Sequence, residues 1–319
     1  MKQILVALPV IFSLFVLNSC DNDENLNNDD LGDKIIQFRI KALGLESGTS
    51  SESDADTRLD VENCNFENGD EIGLFAVKRD KGDALSDNDL NDTKNFIHNA
   101  RLIYDSNSKS WISDPPVYYP EDRITVAIDF YAYYPYRESV NPNDMDISNG
   151  VLTNQEGRST LGKSDFMTAY KIGYTFDEGK EVELVFRHHF SLVRLECQTD
   201  SENPLLFNSI AFFTPAYSVK KFKLIPVTTG KDLTYEEKVG GKKIAIGMHP
   251  KENAVAIYEV LLIPQIIEKK SSDGGEVPLF YCFNDKDKSF FYIYSDNIIN
   301  NSEEQIELKK GNAYTFIYK

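Results

Sequence analysis

The sequence predicts an all-β chain built as two β-sandwiches in tandem, and three observations carry that reading. The 20 Phe and 17 Tyr stand beside Val and Ile rather than in Leu/Ala/Glu/Lys runs, the company that half-buried strands keep. Short apolar segments recur between turn signals at about eight- to twelve-residue spacing, and no long stripe of helical period interrupts them. Hydrophobic residues make up 41% of the 319, enough for a substantial core, and that length fits two units of ~140 residues better than one.

The first element is not part of the fold. Met1–Cys20 (MKQILVALPVIFSLFVLNSC) places one Lys before an apolar run from Ile4 to Leu17. That run is too short to span a bilayer and suits the core of a signal peptide. Its end, Leu17-Asn18-Ser19-Cys20, resembles a bacterial lipobox, with Asn18 where a small or aliphatic residue is usual. Residues 1–19 are therefore expected to be removed as a signal peptide and Cys20 to receive lipid. Residues 20–33, rich in Asp and Asn, form a solvated tether. The lipid would hold the chain at the outer membrane, and the acidic residues behind Cys20 resemble a surface-export signal. An acidic body argues against binding anionic lipid through the protein surface.

Lys34–Ala42 (KIIQFRIKA) alternates cleanly, with Ile36, Phe38, Ile40 and Ala42 on one face and Gln37, Arg39 and Lys41 on the other. This is the pattern of a half-buried strand. Gly44–Asp60 follows, rich in Ser, Asp and Gly, with Arg58 as its one basic residue. A connection of that length is expected to be exposed. The turn Asn68-Gly69-Asp70 leads a strand within Phe66–Val77, Arg101–Tyr104 and Ser110–Ile112 read as a hairpin, and Arg123–Tyr134 alternates with Ile124, Val126, Ile128, Phe130 and Ala132 together. Further strands are expected at 181–186, 190–197, 207–213, 219–225, 242–247, 254–263, 279–283, 290–294, 305–308 and 313–318. The two domains are drawn as 34–180 and 181–319, with the boundary near Gly179, before the strand at 181–186 or just after it.

Chemistry is excluded more readily than found. Lys and Arg total 34 against 51 Asp and Glu, a net charge of −17, which repels nucleic acid. The HExxH, GxSxG and P-loop signatures are absent, and nothing suggests an enzyme or a cofactor. His188-His189 would point to opposite faces of a strand and cannot chelate one metal from one side. Asp87, Asn88, Asp89 and Asp92, like Asp285 and Asp287, read as solvated acidic turns rather than calcium loops. Trp111 with Tyr118, Tyr119, Tyr131, Tyr133, Tyr134 and Tyr136 reads as packing rather than as a sugar platform. Asp129 has no partner for acid–base hydrolysis. Beyond Cys20, the odd set Cys64, Cys197 and Cys282 allows at most one disulfide, which sequence cannot choose.

Five segments occur in an order that resembles the fimbrillin family of anaerobic Gram-negative bacteria, the Mfa-like, major and minor fimbrillins. They are FENGDEIGLFAV at Phe66–Val77, IDFYAYYPY at Ile128–Tyr136, DFMTA at Asp165–Ala169, FRHHFSLVRLE at Phe186–Glu196 and LKKGNAYTFIYK at Leu308–Lys319. The resemblance implies transthyretin-like topology for both sandwiches, lipoprotein export, and assembly with other fimbrial subunits into surface fimbriae that serve adhesion or biofilm formation. It implies a mechanism too: an arginine-specific protease cuts behind an N-terminal strand, and a strand from a neighbour replaces it. The strand Ile36, Phe38, Ile40, Ala42, the exposed loop and Arg58 supply the parts in that order. Burying such a strand is worth roughly 5–10 kcal/mol. Either Gln305–Lys319 is itself the donor strand, or the subunit accepts without donating and stands at the tip or in an accessory position. The rival reading is a monomeric surface lipoprotein that binds glycan or peptide.

Overall fold

A computed structural model describes residues 35–47, 66–83, 90, 95–145, 153–177, 180–198, 207, 209–220, 222, 224, 236–251, 256–268, 270, 274–284, 288–295, 298–299 and 305–318. The chain is nearly all β, as its composition requires. In the first half the strands are β1 (Phe38–Ala42), β2 (Glu46–Ser47), β3 (Glu71–Asp80), β4 (Ile97–Asp105), β5 (Ser110–Ser113), β6 (Val126–Tyr134), β7 (Met167–Thr175) and β8 (Val182–His188), with one short helix, α1 (Arg158–Lys163). The second half holds β9 (Ser191–Cys197), β10 (Ser209–Lys220), β11 (Glu236–Gly247), β12 (His249–Pro250), β13 (Ile257–Leu262), β14 (Gln265–Glu268), β15 (Pro278–Asn284), β16 (Ser289–Tyr294), β17 (Ile298–Ile299), β18 (Gln305–Leu308) and β19 (Asn312–Tyr318).

The first sheet runs β1-β8-β7-β6-β3-β4-β5. It curls until its ends meet: Ile35 bridges Tyr118, and the Ile36 N–H donates to the Val117 carbonyl at 2.8 Å. Inside the curl lies a core of Ile36, Phe38, Ile72, Leu74, Val126, Phe130, Leu184 and Phe186 with their neighbours. A second core fills the C-terminal half, between the sheet β11-β10-β15-β16 and the sheet β12-β13-β9-β19-β17, with the pair β14-β18 beside them. Sheet membership changes after β8, not before it. A boundary at 180/181 would cut away a strand that pairs with β7 on one side and β1 on the other. Of the two positions expected for the boundary, the change of sheet falls at the later one, after β8.

β6 is buried along its whole length. The alternation Val126, Ile128, Phe130, Ala132 faces the first core, but Ile124 falls in the preceding turn and is 51% exposed. The opposite face, Tyr131 and Tyr133, meets Phe75, Phe166, Phe190, Leu192, Leu261 and Ile263 in a third cluster drawn from both halves. Gly73 makes room there: a Cβ at that position would lie 2.1 Å from Cε1 of Tyr133. Backbone and side chain also stitch the halves. The Gln155 amide is fully buried, donating to the Leu261 carbonyl at 2.9 Å and accepting from the Leu261 N–H at 2.8 Å.

β7 went unforeseen because its alternation is broken. Between the pairs Ile128/Tyr174 and Phe130/Lys171 the register slips, and Gly173 takes φ +69°, a conformation that a side chain disfavours. The Gly173 N–H donates to Asp129 Oδ1 at 2.6 Å, and Arg79 Nε reaches both oxygens at 3.0 and 3.2 Å. Asp129 is thus a paired buried charge holding a bulge. The expected strand at 219–225 is not separate either: β10 runs unbroken to Lys220.

Candidate functional site

The first described segment makes the site. β1 lies parallel to β8, with Phe38 opposite Val182 and Ala42 opposite Phe186. Its alternation sends Ile36 and Phe38 into the core, where Phe38 meets Phe130 edge to face at 5.8 Å; Ile40 and Ala42 are half-buried against the same cluster. Two large side chains fully buried and two partly so are worth about 4–7 kcal/mol, in the lower part of the range that full burial of all four would give. On the outer face Arg39 pairs with Glu181 and Lys41 with Glu183, each at 2.7 Å. Lys41 holds the Glu183 carboxyl below the usual range. Among the described residues β1 has a strand along one side only, and its other side is touched at its start by residues 117 and 118.

Beyond β1 the chain passes from one sheet to the other. The Leu43 N–H donates to the Phe186 carbonyl at 2.9 Å. Leu45 then buries itself in the third cluster, and β2 pairs with β19. A cavity of about 220 Å³ opens at this crossing, lined among others by Ala42, Leu45, Phe66, Asp70, Tyr134 and His188. Burial raises the Asp70 carboxyl, which accepts from the Glu67 N–H at 2.6 Å and from the Tyr134 hydroxyl at 3.1 Å. His188 and His189 diverge as strand geometry requires: His188 meets Asp165 and the Leu43 carbonyl, whereas His189 Nε2 lies 2.7 Å from the Thr168 hydroxyl. Sequence reasoning treated His188 as incidental. Its signal was present in Asp165 and His188, which lie in two of the quoted motifs without being connected.

Cys20, Arg58 and Cys64 lie outside the described residues, as do Asp87, Asn88, Asp89, Asp92, Asp285 and Asp287. Cys197 and Cys282 are free, buried thiols in the second core; burial pushes Cys197 up to about 12 and raises Cys282 as well. Trp111, Tyr119, Tyr131, Tyr133 and Tyr134 are buried in packing. Tyr118 of the same set is 44% exposed; the other exposed rings among the described residues are Phe290 (60%) and Tyr292 (46%) on β16 and Tyr170 (50%) on β7. At the other end of the chain β19 lies inside its sheet, parallel to β9 on one side and antiparallel to β17 on the other.

A family model described as fimbrillin-like matches residues 57–319. A Bacteroides ovatus protein provisionally named fimbrium tip subunit Fim1C is 29% identical over 203 residues, covering 60% of this chain and 34% of its own length. This chain therefore spans about a third of that relative. Among solved structures, a fimbrial protein from Bacteroides ovatus superposes with a TM-score of 0.51 at 20% identity, over 89% of this chain and 48% of its own. A second Bacteroides ovatus protein, provisionally named a cell adhesion protein, gives 0.54 at 12% identity over 89% and 92%. At such identities the structures speak for the fold alone. The family model covers far more than half of the sequence, and the chain belongs to the fimbrillin-like family.

Proposed function

We propose that this chain is a structural subunit of surface fimbriae, at the tip or in an accessory position, and that β1 is a plug strand exchanged for a strand of a neighbouring subunit. The observation that carries the reading is the seat of β1: an apolar face in the core, with a ladder along one side only. Such a strand, once cut from the chain behind it, is held noncovalently and can yield to a longer competitor. The family match supports it by beginning at residue 57, beside Arg58, and leaving β1 outside. The resemblance to a protein named for the fimbrium tip supports the tip position.

Under this reading the chain is lipidated at Cys20, held at the outer membrane, cut after Arg58 by an arginine-specific protease, and joined to other subunits in a structure that serves adhesion. It performs no catalysis. N-terminal sequencing of the protein extracted from cells tests it. Polymer should begin at Leu59, and Arg58→Ala should leave monomer beginning at Cys20. Polymer that still begins at Cys20 would overturn the exchange step. Lipid retained on a monomer that binds glycan saturably would favour the rival lipoprotein.

A further inference from the structure

We infer that His188 and Asp165 form a proton-dependent clamp that recognises a main-chain carbonyl at the end of the β1 slot. His188 is almost wholly buried, and each ring nitrogen faces an acceptor. Nε2 lies 2.8 Å from the Leu43 carbonyl oxygen; Nδ1 lies 2.9 Å from Oδ1 and 2.8 Å from Oδ2 of Asp165. A neutral imidazole has one N–H, and a carboxylate has none to lend. Both contacts are satisfied together only when the pair holds one further proton, as imidazolium beside carboxylate. The clamp therefore binds its carbonyl through a charge-assisted donor.

Around the cavity stand Asp70 and Glu67 from the turn before β3, Arg158 and Lys163 from α1, and Glu259 from β13. Glu67 is engaged by Arg158 at 2.6 Å and Glu259 by Arg194 at 2.5 Å. Asp165 is the carboxyl in contact with the imidazole, and Tyr134 and Lys163 line the same cavity.

The contact reads main chain, not side chain. Leu43 is itself 40% exposed; what the clamp grips is the carbonyl one residue past β1, where the Leu43 N–H also meets Phe186. Any extended segment that lies parallel to β8 in this register presents a carbonyl there, whatever its sequence. The ligand class is thus an extended polypeptide strand. The sign of the pH effect follows. The grip needs the imidazole proton, so it weakens as pH rises and that proton is lost.

The inference deepens the strand-slot reading, but its test uses the uncut chain, so its failure is distinguishable from a failure of strand exchange. Imidazole 15N spectra of the full chain, assigned with His188→Gln, should show both nitrogens of His188 protonated at pH 7. Hydrogen exchange over residues 36–47, corrected for intrinsic rates, should lose about tenfold in protection between pH 6 and pH 9 in the wild type. His188→Gln should show lower protection without that dependence, and Asp165→Asn should keep the fold and flatten the dependence. Peptides of β19 should not respond. A single neutral tautomer at pH 7, or a pH dependence in His188→Gln and Asp165→Asn as large as that of the wild type, would overturn the clamp.

Discussion

β1 and β19 occupy corresponding places and are held very differently. β8 and β9 follow one another in the chain, separated only by His189 and Phe190, and each carries a parallel partner: β1 on β8 and β19 on β9. β1 ends its sheet, with a full ladder on one side. β19 has β9 on one side and β17 on the other, takes β2 at its start, and buries Ala313, Tyr314 and Phe316. One arrangement of strands thus gives an edge strand on β8 and an inner strand on β9. The difference lies in the number of neighbours, not in the apolar content.

Deletion is the harshest way to break that contrast. Loss of 312–318 should abolish cooperative folding, read as loss of native near-ultraviolet circular dichroism. Loss of 35–47 should leave a folded body that binds a hydrophobic dye at the vacated slot. Collapse in both cases would mean that β1 is as integral as β19. Next in size, Phe316→Ala should cost about 3–5 kcal/mol of global stability in denaturant titration. Phe38→Ala should instead appear mainly as faster hydrogen exchange confined to β1 and β8, because that strand can open alone. An equal fall in the global midpoint would sink the distinction.

Leu45 sharpens the comparison, because it anchors the chain between the sheets. Leu45→Ala removes a buried leucine worth about 2–5 kcal/mol, and it should increase protease sensitivity at 43–47 before it lowers the melting temperature. The smallest effect belongs to the outer face. Arg39→Ala breaks an exposed ion pair, expected at about 1 kcal/mol or less; a larger loss in denaturant titration would mean that charge, not burial, seats β1.

Strand identity was legible wherever period decided it. The alternation of Ile36 and Phe38 put both in the core, and the hairpin of β4 and β5 followed from its turn. Pairing was not legible: the parallel partners of β1 and β19 lie far away in sequence, and no local signal names them. β7 was obscured by the bulge at Gly173, whose cause, Asp129, sits on another strand. The lone carboxylate on β6 looked unpartnered because Arg79 is remote in sequence. The chemistry at His188 was hidden for the same reason, since its partners are Asp165 and a carbonyl that carries no side-chain signature.

The middle strand of the first sheet has no outside. Three strands flank β6 on each hand, and its nine residues are all enclosed, five of them in the first core and Tyr131 and Tyr133 in the joint with the second half. Tyr133 sits at that joint only because Gly73 withholds a methyl group. A keel of this kind lies three strands inboard of β1, with β8 and β7 between. The rim of the sheet and the spine that couples the two halves are thus separate parts of it.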